Sequence, residues 1–82
     1  SFLMPNIIYT MKGCHYCNLA RELFERADID YVEMKLDRDI TKEEVKDTLQ
    51  KDTVTFPQIV FEGRNVGGLV DAAKLFQERG LV

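Results

Sequence analysis

Two cysteines, one histidine and no block of basic residues set the first limits on this chain of 82 residues. Two cysteines are too few for a disulfide-stapled secreted scaffold. Zinc asks for about four ligands, usually two cysteine pairs or added histidines. The lone histidine, His15, falls inside the one cysteine pair, so no metal site within the chain is expected. Lysine and arginine number 11 against 14 aspartates and glutamates, a formal charge of −3. That balance suits neither nucleic acid nor an anionic membrane surface as a partner. No apolar run approaches the roughly 20 residues of a membrane span. No secretory signal pattern stands at the start, and a cytoplasmic location is expected. Glycine and proline are few, and 45% of residues are hydrophobic, which argues against disorder. The expectation is one domain over residues 1–82 with one modest core. Ser1-Phe2-Leu3 precede Met4 and read as a cloning remnant. Repeats, linkers and low-complexity segments are absent.

What is present centres on Thr10-Met11-Lys12-Gly13-Cys14-His15-Tyr16-Cys17. The two cysteines stand three apart, after a strand-like run and before a helical pattern. Cys14 therefore falls at the first turn of a helix, where unpaired N–H groups and the helix dipole favour an anion and push a thiol toward thiolate. Lys12 adds positive charge nearby. Cys17 lies one turn on, on the core-facing stripe, placed to attack a mixed disulfide formed at Cys14. The pair reads as a redox site with Cys14 as nucleophile and Cys17 as resolving thiol. The plainer alternative for Cys17 is a small core hydrophobe.

Along the chain, Asn6–Thr10 is apolar and β-branched and reads as a buried strand. Cys17, Ala20, Phe24 and Ala27 repeat at helical spacing, giving a helix that ends near Asp28. Ile29–Leu36 reads as a second strand, parallel to the first because one helix lies between them. Thr41 and Glu44 have the spacing of a capping box, with Ile40 and Val45 at staple positions, so a surface helix spans Thr41 to about Gln50. Gln58–Glu62 is a strong strand signal. A tight turn at Gly63-Arg64 leads to a short returning strand, Asn65-Val66, which Gly67-Gly68 end. Leu69, Ala72, Ala73 and Phe76 mark one face of a last helix that closes near Gly80. The order is β-α-β-α-β-β-α.

Three motifs carry a resemblance across Asn6 to Phe76. They are Ile8-Tyr9-Thr10 followed by Cys14-His15-Tyr16-Cys17, then Thr55-Phe56-Pro57-Gln58-Ile59, then Val66-Gly67-Gly68. In these the chain resembles the glutaredoxins, within the thioredoxin-fold superfamily. The resemblance implies an α/β fold: a four-stranded mixed sheet flanked by three helices. It implies thiol–disulfide exchange on protein disulfides and glutathione mixed disulfides. Glutathione would be a co-substrate, with no permanently bound cofactor, and a monomer is expected. The implied glutathione-binding residues are Lys12, Tyr16, Phe56, Pro57, Gly68, Leu69 and Val70. Tyr16 would wall the groove, and a cis Phe56–Pro57 bond would face the cysteine pair. The Phe56 backbone would then pair with an extended substrate. The helix start near Leu69-Val70 would offer N–H groups to the γ-glutamyl carboxylate. The plainer alternatives are a solvated lysine at Lys12, an exposed aromatic at Tyr16 and, favoured by the residues alone, an ordinary proline opening a strand at Pro57.

The chain departs from the family pattern at four places. His15 stands where proline is usual; charged, it favours the Cys14 thiolate, which predicts a more oxidising pair than a proline variant, although the helix dipole opposes that charge and a tolerated exposed residue is the plainer alternative. Met11 stands where lysine is common, Phe56 where valine is common, and Val70 where an aspartate holds the glutathione amino group. Asp71 follows one residue later. This weakened glutamyl site motivates an alternative, an electron donor recharged by a flavoprotein reductase and serving one client such as ribonucleotide reductase. A further alternative is an iron–sulfur cluster shared by Cys14 of two chains and two glutathiones.

Overall fold

The computed structural model describes residues 4–82, so the reading of Ser1-Phe2-Leu3 lies outside the described residues. Among those described, the elements run β1 (Ile7–Thr10), α1 (His15–Arg26), β2 (Val32–Lys35), α2 (Lys42–Leu49), β3 (Gln58–Phe61), β4 (Arg64–Gly67) and α3 (Leu69–Glu78). This is the expected order, and the strands form a mixed sheet in the order β2-β1-β3-β4. β1 and β2 are parallel, as a helical crossover requires. β3 runs antiparallel to β1, and β4 antiparallel to β3.

Strand alternation splits the apolar residues between two faces. Ile8, Ile59 and Phe61 pack with Ala20 and Phe24 of α1 and Ala72 and Phe76 of α3. The Phe24 and Phe76 rings lie 5.1 Å apart, and Phe76 lies 5.0 Å from Phe61. Tyr9 turns to the other face, where Val45 of α2 and Val54 cover it; burial pushes its phenol above the ordinary value. Truncating a fully buried phenylalanine such as Phe24 costs about 3–5 kcal/mol, a large share of a total near 5–15 kcal/mol.

The antiparallel register positions the site. Tyr9 pairs with Gln58, so the residue before β3, Pro57, arrives beside the end of β1. Ile59 pairs with Gly67, which brings the start of α3 to the same end. Three segments far apart in sequence therefore meet where the cysteine loop leaves the sheet.

Two local expectations change. The hairpin turn is Glu62-Gly63, not Gly63-Arg64, and β4 runs through Gly67 rather than ending before it. Both turn residues have positive φ, 52° and 80°, which suits the twist of a two-residue hairpin loop. The Glu62 N–H donates to Asn6 Oδ1 at 3.0 Å and fixes the turn there. A register shift between Ile59 and Val60 then carries pairing on to Gly67. The first helix begins at His15, with Cys14 as its N-cap, at the helix start where it was expected.

Candidate active site

Cys14 has extended backbone angles, and its sulfur takes the place of a capping oxygen. The Cys17 N–H donates to Cys14 Sγ at 3.1 Å, and the Asn18 N–H donates to the Cys14 carbonyl at 3.3 Å. A helix donor is thus aimed at the sulfur, the arrangement that favours its ionised form. The first turn, His15-Tyr16-Cys17, carries no acidic residue that would oppose a thiolate. Cys14 and Cys17 are joined as a disulfide, their Cα atoms 5.2 Å apart. Cys14 is partly exposed, whereas Cys17 is only 1% exposed. An incoming sulfur therefore meets Cys14 first.

The Phe56–Pro57 peptide bond is cis. It places the Phe56 carbonyl oxygen 3.8 Å from Cys14 Sγ. Behind it, the Gln58 side chain is buried and donates through Nε2 to the Thr55 carbonyl at 2.7 Å. Asn65 of β4 donates to Gln58 Oε1 at 3.3 Å, which orients that amide. Pro57 is buried, and Phe56 packs partly against the cluster around Tyr9.

The third segment is the start of α3. A Cβ on Gly68 would lie 3.7 Å from the Pro57 carbonyl oxygen, an ordinary contact, so this backbone runs close to the cis proline. Asp71 turns back, and its Oδ2 accepts the Gly68 N–H at 3.3 Å. A Cβ on Gly67, at φ +106°, would come within 2.5 Å of that oxygen, so the position demands glycine. Leu69, the first residue of α3, is partly buried and packs against the core cluster of α1, α3 and the sheet. Val70 is 75% exposed.

Around the sulfur, Lys12 and His15 are exposed. Tyr16 is 58% exposed, its ring 6.0 Å from that of His15. Met11 is 42% exposed. The residues singled out from sequence, Lys12, Cys14, His15, Tyr16, Cys17, Phe56, Pro57, Gly68, Leu69 and Val70, thus lie on three neighbouring segments. A surface cleft of about 550 Å³ lined by Asp28 to Val32 with Pro5 and Asn6 takes no residue from them.

The glutaredoxin family model matches residues 6–66. The chain belongs to the glutaredoxin family. It is 33% identical to glutaredoxin 1 of Rickettsia bellii, over 88% of this chain and 76% of that one. It is 33% identical to the glutaredoxin of Haemophilus influenzae, over 89% of this chain and 91% of that one. A mouse mitochondrial glutaredoxin-2 is 31% identical over 93% of this chain, which spans 50% of that protein's length. Among solved structures, reduced Escherichia coli glutaredoxin matches with TM-score 0.71 and 32% identity, covering 96% of this chain and all of that one. A buckwheat glutaredoxin–glutathione complex matches with TM-score 0.76 at 18% identity, over 94% of this chain and 72% of that one, a likeness of fold. Family membership gives this glutaredoxin its reaction class, thiol–disulfide exchange.

Three features of the site escaped the sequence reading. The first is Gln58 with Asn65, bracing the cis-proline loop. The second is the self-capping of α3 by Asp71, for which an acid three residues after Gly68 was a usable signal. The third is a polar network under the cysteine loop, between Thr10, Glu33, Arg21 and Asn18. Asn18 and Arg21 are helix neighbours three apart, but Glu33 lies 23 residues from Thr10 and 12 from Arg21, with no local pattern to join it to them.

Proposed function

We propose that the protein reduces disulfides through Cys14 and Cys17 and is itself re-reduced by glutathione. The Cys14 thiolate attacks one sulfur of a substrate disulfide. A mixed disulfide forms on Cys14, and the other substrate sulfur leaves as thiolate and takes a proton. Cys17 then attacks Cys14 Sγ, releasing the second substrate thiol and closing the internal disulfide. Two glutathione thiols reverse this: the first opens the disulfide at Cys14, and the second removes the glutathionyl group as oxidised glutathione. Electrons balance at each exchange. The observation that carries the reading is the Cys17 N–H donated to a partly exposed Cys14 Sγ, with Cys17 buried behind it. The Phe56 carbonyl, 3.8 Å from Cys14 Sγ, supports an extended substrate lying against this backbone.

The test is turnover of a small glutathione mixed disulfide, coupled to glutathione and its reductase, on three proteins. The parent turns over; Cys14→Ser shows no turnover above background. Cys17→Ser keeps mixed-disulfide turnover and loses reduction of a protein disulfide. Equal activity of Cys14→Ser and the parent refutes the assignment.

One observation favours the reductase-fed alternative. The Gly68 N–H, one donor that a glutamyl carboxylate would use, is already engaged by Asp71. Val70 beside it offers an exposed apolar surface. If the parent reduces a protein disulfide with a flavoprotein reductase but fails with glutathione, this second reading replaces the first.

A further inference from the structure

The polar network beneath the cysteine loop forms a closed ring. Thr10 is the last residue of β1, is 0% exposed, and donates its hydroxyl to Glu33 Oε2 at 2.6 Å. The same oxygen accepts from Arg21 of α1, also at 2.6 Å. Both side chains of that ion pair are about three-quarters covered, with 29% and 26% exposed. The other guanidinium nitrogen of Arg21 donates to Asn18 Oδ1. Asn18 in turn donates its backbone N–H to the Cys14 carbonyl. The loop Met11-Lys12-Gly13-Cys14 leaves from Thr10 and returns into the turn that Asn18 closes. One carboxylate therefore ties the two ends of the reactive loop together.

We propose that Glu33, acting through Thr10 and Arg21, is a positioning residue for Cys14. It holds the loop so that the Cys17 N–H stays aimed at the sulfur. Glu33 touches neither cysteine, and its effect on the chemistry is through the loop. The inference rests on Cys14 being the reacting thiol and is indifferent to which reductant recharges it. Two physical roles for Glu33 predict opposite signs. A carboxylate acting only by its charge disfavours a thiolate, so its removal lowers the thiol's pKa and speeds reaction. A carboxylate acting as a clamp favours the thiolate through the cap, so its loss slows reaction. Lys12 and His15 stay in place in every variant and contribute equally throughout.

The experiment follows alkylation of Cys14 by iodoacetamide against pH in the reduced protein, with far-ultraviolet circular dichroism on each variant. Glu33→Ala removes the acceptor for both Thr10 and Arg21. Its alkylation at pH 6 is expected to slow by about three- to tenfold, the size of one weakened hydrogen bond to a charged group. Glu33→Gln keeps a neutral acceptor and recovers most of that loss. Thr10→Val keeps volume and the ion pair but deletes the donor; it slows alkylation by about two- to threefold and decides the matter if Glu33→Ala does not fold. Folded variants that alkylate as fast as the parent, or faster, overturn the proposal. A parent thiol no faster than free cysteine at pH 6 overturns the thiolate assignment beneath it, and the clamp with it. Loss of glutathione turnover with normal alkylation fails the reductant assignment alone.

Discussion

At the start of α2 the Thr41 hydroxyl accepts the Glu44 N–H at 3.2 Å, and the Glu44 carboxylate accepts the Thr41 N–H at 3.0 Å. Glu43 adds a second acid to that first turn. At the start of α3, Asp71 does the work of Glu44. At the start of α1 a sulfur replaces the hydroxyl, and no carboxylate follows. All three helix ends present the same unpaired donors and the same partial positive charge. In α2 and α3 a resident carboxylate uses that charge, and the result is stability. In α1 it is left for Cys14, and the result is a group whose ionisation is favoured and whose sulfur can react. On the proposed reading, the missing acid at α1 matters for Cys14 as well as the cysteine itself.

The sharpest way to break this contrast is to give α1 what the other helices have. His15→Glu places a carboxylate in the first turn, beside the cysteine proposed as nucleophile, and removes the imidazole. Cys14 alkylation at pH 6 is expected to slow by about tenfold, equal to one pKa unit. An unchanged rate shows that the helix end does not govern the thiol. His15→Pro removes the imidazole without adding an acid. It is expected to lower the reduction potential of the pair by on the order of 30 mV, about 1.4 kcal/mol. Equilibration against glutathione redox buffers measures this, and a potential equal to or above the parent's contradicts the role given to His15. The converse change is Thr41→Ala at α2. It should cost about 1 kcal/mol in stability, read as a lower denaturant midpoint. Cys14 alkylation should not move, because α2 packs on the opposite face of the sheet from α1.

What could be read from the sequence follows the same division between local and distant. The capping box of α2 was legible because Thr41 and Glu44 are three residues apart, and its geometry is as expected. The parallel pairing of β1 and β2 was legible because a single helix intervenes. The cis Phe56–Pro57 bond came from the family resemblance, since the residues alone favour an ordinary proline opening a strand. The hairpin turn was misplaced by one residue because Gly63 dominates the local signal. The positive φ of Glu62 is tolerated because Asn6, 56 residues away, holds its N–H. Asp71, one residue past the position where the family's aspartate stands, instead accepts the backbone N–H three residues earlier. The Thr10–Glu33–Arg21 bridge had no sequence signature. Glu33 sits in an alternating strand pattern and Arg21 on a helix, where each reads as an ordinary solvated charge.

The smallest expected effect isolates the carboxylate of the α2 cap from its hydroxyl. Hydrogen bonds from the Thr41 backbone and hydroxyl hold the Glu44 carboxyl below its ordinary value of 4.5. A carboxyl whose folded-state value is depressed contributes stability that is fully present above its unfolded value. That contribution is lost as pH falls through the folded value. The parent should therefore lose stability faster than Glu44→Gln between about pH 5 and pH 3, since glutamine keeps an acceptor but does not titrate. Glu44 is exposed, so solvent and salt keep the difference slight, and it should shrink further at high ionic strength. Thermal midpoints of the two proteins across that pH range provide the comparison. Curves that stay parallel mean that the Glu44 charge adds nothing to the cap beyond an acceptor. The contrast with α1 would then rest on the dipole and the Cys17 N–H rather than on competing carboxylates.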